Sequence, residues 1–260
     1  MNAATTTRAG TSSPVRRRGG LLVAALGALT ALLLIGLVSL LLGLGATPAP
    51  APAPAPAHDP SWDLAAETAM ATRPMPRLPE TAAQPHTLST RSPAGTITLP
   101  TGPFPATPEG ALAQLTELTR VGLQGADPQA YEQAYAAIAE AGAPQVESTV
   151  MHRGLVQARA AAGLPRTGVV GELSMTFTPL AGLVKGTTDG GRYVVVCVLG
   201  QVDVVANGIP ISSGGADCQA MRRLGDAWRI SPGAQAAAAT VAWPGTDEAS
   251  DAGYLPLGAI

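Results

Sequence analysis

CVLGQVDVVANGIPISSGGADC, residues 197–218, holds both cysteines of a 260-residue chain, with an Asn-Gly dipeptide midway between them. Asn and Gly tolerate the positive φ that both positions of a type I′ turn require, so Asn207-Gly208 between two strand-like runs reads as a hairpin turn. With that turn, Ala206 pairs with Ile209, and counting outward brings Cys197 opposite Cys218. Antiparallel pairs alternate between hydrogen-bonded and non-hydrogen-bonded, and the count puts the cysteines in the second class, where side chains come closest. That suits a disulfide. Pro210 also falls in a non-bonded pair, so this hairpin does not need the N–H it lacks, although a third strand on its other side would. One bulge within Ser212–Gly215 would shift the register. The alternative, two buried thiols, requires a reducing compartment.

The compartment is read from the other end of the chain. Leu21 to Ala46 carries no charged residue, and at ~1.5 Å per residue it is long enough to cross a ~30 Å hydrocarbon layer. Arg8, Arg16, Arg17 and Arg18 precede it and no acidic residue does, a bias that keeps the N-terminus cytoplasmic. A cleaved signal peptide is the alternative, but its apolar core runs only ~7–15 residues, and proline crowds the positions after Ala46. The expectation is residues 1–20 as a basic cytoplasmic N-terminus, 21–46 as an uncleaved single-pass transmembrane helix, and the remainder outside the cell membrane, where a disulfide is at home. The exported part has 12 basic against 18 acidic residues, a net −6, which disfavours nucleic-acid binding.

Residues 47–106 read as an extracytoplasmic linker, largely disordered: first the alternating tract TPAPAPAPAPAHDP, then a stretch rich in Pro, Thr and Ser. The Ala-Pro tract should hold an extended polyproline-like form and act as a spacer. Order begins where Thr107 can cap a helix, Pro108 can take its first position and Glu109 complements its positive end. Leu112, Leu115 and Leu118 give that helix an apolar face. A second starts at Asp127-Pro128 with Tyr131, Tyr135 and Ile138 on one side, and a third is expected over about Pro144–Ala162.

After Pro165 the period becomes two. Val169, Leu173, Met175 and Phe177 alternate with polar residues, TTDGG (187–191) is a turn, and residues 192–206 are apolar on both faces, which makes that strand central. A third strand carries Cys218, and a short fourth lies around Trp228 and Ile230. Three helices followed by a four-stranded antiparallel sheet is an α+β layout for residues 107–235, with 236–260 as a C-terminal tail carrying a short helix.

That order of elements resembles the cone-shaped fold named after nuclear transport factor 2 (NTF2-like), in which helices pack on a curved sheet. The phrases FPATPEGALAQL (104–115), PLAGLVKG (179–186), ADCQAMRRLGDAWRI (216–230) and WPGTDEASDAGY (243–254) resemble uncharacterised single-pass membrane proteins of high-GC Gram-positive bacteria, found beside conjugation-type ATPases and secretion components. The resemblance implies a non-enzymatic scaffold or assembly subunit of a conjugation-like type IV secretion apparatus. Its partners would be other membrane or secretion-complex subunits, with a homo-oligomer as a further option. An accessory subunit of an envelope lipid-import system is the alternative with the same anatomy, and a small exported NTF2-like enzyme or ligand binder is the alternative of another class.

Catalytic chemistry finds little material. His58 and His86 fall in the linker, and His152 has no partner at ligand spacing in the sequence. Glu172 and Asp203 are the acids such a cone-fold enzyme would place in its cavity. SSGGAD lacks the Lys-Ser/Thr of a phosphate loop. The reading calls for no cofactor and no metal. For binding, Val194, Val196 and Val198 form an apolar stripe continued across the hairpin by Met221, Gln219 and Asp217, a candidate partner surface unless a helix covers it. Trp243 and Tyr254 are a second candidate, unless they clasp the chain's own domain.

Overall fold

The computed structural model describes residues 62–77, 87–101, 103–171 and 173–258. The basic N-terminus, the segment 21–46 read as a transmembrane helix and the Ala-Pro tract lie outside them, as do His58, His86 and Glu172. Among the described residues no helix is long and apolar enough to cross a membrane.

The elements follow in the order α1 (Leu64–Thr72), α2 (Pro108–Leu123), α3 (Pro128–Ile138), α4 (Val150–Ala161), β1 (Leu173–Thr188), β2 (Tyr193–Ala206), β3 (Ile209–Leu224), β4 (Ala227–Ile230), α5 (Asp247–Asp251) and β5 (Leu255–Pro256). The fold is α+β, with one antiparallel sheet in the order β4-β3-β2-β1-β5. The local grammar sets the helix starts: Thr107 accepts from the Gly110 N–H, Asp127 from Gln129 and Thr149 from His152, so each cap satisfies an N–H that its helix cannot. The third sequence-read helix therefore starts later than Pro144, because Val146–Ser148 first makes a tight 3₁₀ turn and Thr149, not Pro144, supplies the cap.

The hairpin register holds over all fourteen pairs from Tyr193↔Arg222 to Ala206↔Ile209, without a bulge in Ser212–Gly215. Asn207 and Gly208 sit at φ 51° and 77°, the left-handed values of a type I′ turn. Cys197 faces Cys218 with the Cα atoms 4.0 Å apart, and the two are disulfide-bonded.

β2 is the middle strand and is buried on both sides. Val194, Val196 and Val198 join Leu112, Leu115, Leu118, Tyr131 and Leu155 in the core beneath α2–α4. Tyr193, Val195, Cys197 and Leu199 join Trp62, Ala71, Ala242, Ala252 and Tyr254 on the opposite face. The sheet is thus the middle of three layers, closed on its second face by both ends of the described chain. That second cover is the main departure from the sequence reading. Within the stretch read as linker, α1 and Leu99 are packed, and the C-terminal residues form a lid with a fifth strand. Two bulges, at Leu180 and Lys185, interrupt the β1–β2 register and let β1 run on to Thr188 through PLAGLVKG. β1 begins only at Leu173, and Val169, read as its first inward residue, is 95% exposed.

Candidate functional site

The first proposed partner surface is interior, and so is Tyr254 of the second. Val194, Val196 and Val198 have no solvent exposure, because α2 and its neighbours cover them. Tyr254 is 3% exposed and its hydroxyl donates to the Thr240 carbonyl at 3.0 Å, while Trp243 is half-buried in the same segment. Val194, Val196, Val198 and Tyr254 act as packing, and the reading of these four as a contact surface is corrected accordingly: an apolar stripe on a strand buried on both faces is spent on the protein's own layers, and Trp243 alone keeps part of its surface. Asp203 lies on the outer part of the hairpin, where Gln201 Nε2 donates to it at 2.8 Å and the Ser212 hydroxyl also donates. His152 is buried, with Nε2 2.8 Å from Glu132 Oε1 across α4 and α3.

Two of the four phrases that carried the resemblance are joined by hydrogen bonds. Trp228 Nε1 donates to the Pro105 carbonyl at 2.7 Å and Arg223 to the Phe104 carbonyl at 3.0 Å, so the third phrase grips the turn made by the first. A Cβ on Gly110 would stand 2.1 Å from the same Pro105 oxygen, which explains glycine in that first turn. WPGTDEASDAGY caps α5 with Thr246, and its Asp247 and Asp251 pair with Arg91, ordering the chain around Ser89.

Two arrangements were not legible beforehand. The first is a strap, residues 62–77, laid on the second face of the sheet. Trp62 is sandwiched by the guanidinium groups of Arg192 and Arg222, each 4.2 Å from its ring. Arg222 Nη2 meets Glu67 Oε2 at 2.6 Å in a buried ion pair, with Glu140 on its other side at 3.9 Å. Burial pushes the Glu140 carboxyl above its ordinary range although Arg222 opposes the shift. The Tyr193 hydroxyl donates to the Glu67 carbonyl at 3.2 Å, and the Asp63 N–H donates to Asp189 at 2.9 Å. At the far end of α1, Lys185 Nζ donates to the Ala71 carbonyl at 3.2 Å and Arg73 donates to the Lys185 carbonyl. Burial, and then the Arg73 charge, lower the Lys185 pKa.

The second is Asp217, 2% exposed on the helix side of β3. Its oxygens accept from the Gln219 amide at 3.0 and 3.2 Å, and among the described residues no cation pairs with it. Burial pushes its carboxyl up to about 6, against the Gln219 hydrogen bonds, the Cys218 N–H and the Tyr131 hydroxyl, which favour the charged form. Tyr131 is wholly buried near Asp217 and Thr149, yet its hydroxyl makes no well-formed hydrogen bond. Burial and then the Asp217 charge raise its pKa. Asp217 and Cys218 border a cavity of about 260 Å³ between the start of α4 and the loop after β4, with Ser148, Arg153, Gln235 and Ala236 on its other walls.

Beyond the cavity the hairpin tip stands clear. Ile209 and Ile211 are 63% and 58% exposed on one face of β3. The outer edge of β3 at this tip is a poor template for another strand, because Pro210 offers no N–H there.

Neither a family model, a curated protein nor a solved structure matches the chain.

Proposed function

We propose that this chain is a non-enzymatic, single-pass membrane-anchored scaffold or assembly subunit of a conjugation-like type IV secretion apparatus, its exported domain an NTF2-like cone. The supporting observation is the strap. A spacer that ended in loose chain would leave the domain free to tumble, whereas here the residues that follow the Ala-Pro tract are clamped at once by Trp62 and Glu67 against Arg192 and Arg222. From Trp62 onward the chain is thus held to the sheet, as a subunit that bridges a membrane anchor and a partner complex needs. Helices preceding a long antiparallel sheet, and two bulges within β1, are in keeping with a curved cone.

The envelope lipid-import reading shares the same anatomy and is separated from the secretion reading by gene context. A survey of neighbouring genes across genomes that encode this chain should return secretion ATPases and channel components. Repeated transporter components would replace the secretion role with the lipid-import one, and random neighbours would remove both.

A further inference from the structure

We infer that the cavity beside Asp217 is a binding site for a small zwitterion, an organic ammonium that also carries a carboxylate. A carboxylate removed from water is costly unless a cation meets it, and Asp217 is buried with neutral donors around it, the Gln219 amide, the Cys218 N–H and the Tyr131 hydroxyl, but with no cation paired to it among the described residues. It is also not sealed in the core: it lines a space of about 260 Å³, roughly nine times the volume of a water molecule in the liquid. The space is reached from the surface, because Gln235 and Ala238 on its rim are exposed.

Arg153 stands on the same cavity, yet it does not neutralise Asp217. Its Nη1 donates to the Ser148 carbonyl, which also accepts from Gln235 Nε2 at 3.1 Å. A buried anion and a rim cation that share one cavity without pairing are complementary to a ligand with an ammonium at one end and a carboxylate at the other. The alanines at 236, 238 and 239 supply the apolar wall for a short methylene stem between the two charges. This site is separate from the strap and does not rest on the scaffold role.

The test is a titration of the ¹⁵N-labelled domain, residues 62–260 with the disulfide intact, or of the full chain in detergent should the domain not fold alone. Three matched probes are used: β-alanine, propylammonium and propionate. The expected result is saturable shifts of amides around Arg153, Asp217, Cys218 and Ala236 with β-alanine, at least tenfold weaker binding of propylammonium, and none with propionate. D217N should weaken β-alanine at least tenfold, and R153Q should reduce it to the level of propylammonium while the rest of the spectrum is unchanged. Should D217N alter the fold, R153Q alone carries the comparison. Propionate binding as well as β-alanine, unchanged affinity in the variants, or no saturable shift with any probe up to tens of millimolar would overturn the assignment.

Discussion

Replacing Trp62 with alanine removes the pin that holds the strap to the sheet. Trp62 is 7% exposed, and burying an aromatic side chain of roughly 200 Å² at about 25 cal/mol per Å² sets an upper bound near 5 kcal/mol. Truncating buried aromatics to alanine costs about 3–5 kcal/mol in practice. The two guanidinium contacts are included in that figure and not added to it. The loss should also be coupled to Glu67, because Trp62 and Glu67 both contact Arg222. Breaking a buried ion pair alone costs ~3–5 kcal/mol, but once Trp62 is gone the strap loosens, Arg222 regains water, and Glu67→Gln has less left to remove. Urea denaturation followed by far-UV circular dichroism on the wild type, both single variants and the double variant measures this. The expected result is a double-variant loss smaller than the sum of the singles by about 0.5–3 kcal/mol. A Trp62→Ala loss below about 1 kcal/mol, or losses that add within about 0.5 kcal/mol, would refute the strap as a single cooperative unit.

Three further outcomes follow from other parts of the fold. The disulfide closes a sequence separation of 21 residues, for which the chain-entropy argument gives roughly 3 kcal/mol; replacing both cysteines with serine should lower the midpoint of thermal unfolding by about 6–12 °C, at ~2–4 °C per kcal/mol for a domain of this size. Asp217 has its carboxyl raised in the folded state to about 6 from an ordinary 3.8, so the folded protein binds the proton more tightly and that stabilisation is complete below pH ~4 and lost as the pH rises through ~6. Asp217→Asn should therefore gain on the wild type by up to about 3 kcal/mol between pH 4 and pH 7, read as the difference between the two unfolding curves; a difference independent of pH would contradict the burial argument. Gly214→Ala drives a Cβ to within 2.2 Å of the Ala242 carbonyl, and an overpacking cost of about 1–3 kcal/mol should appear as faster proteolysis of the C-terminal segment, with unchanged cleavage refuting the contact.

The hairpin was legible because its information is local: Asn207-Gly208 fixes the turn, the turn fixes the register, and the register places the cysteines without reference to the rest of the chain. Helix caps at Thr107 and Asp127 were legible for the same reason. β2 announced its central place through apolar residues on both faces, but the sequence could not say what would cover each face. The face with Tyr193 is closed by residues far away at both ends, and the strap's short helix has little amphipathic pattern to advertise it, since LAAETAMAT buries only Glu67 and Ala71. Glu67 reads as a surface residue until Arg222 is brought over it from 155 positions away. Asp217 was visible only as a polar interruption in an apolar stripe, because its isolation from cations is a property of the tertiary packing. The same packing turned Val194, Val196, Val198 and Tyr254 from candidate surface into core.

The central claim, an exported arm that bridges the membrane and a secretion complex, is tested most directly by in-cell crosslinking of the full-length chain followed by mass spectrometry of what is captured from the native membrane. The account predicts crosslinks from the described domain, residues 62–258, to channel or ATPase-associated subunits of a secretion apparatus, lost when Trp62 and Glu67 are replaced together. Capture of transporter subunits, or of no membrane-complex component at all, would contradict it.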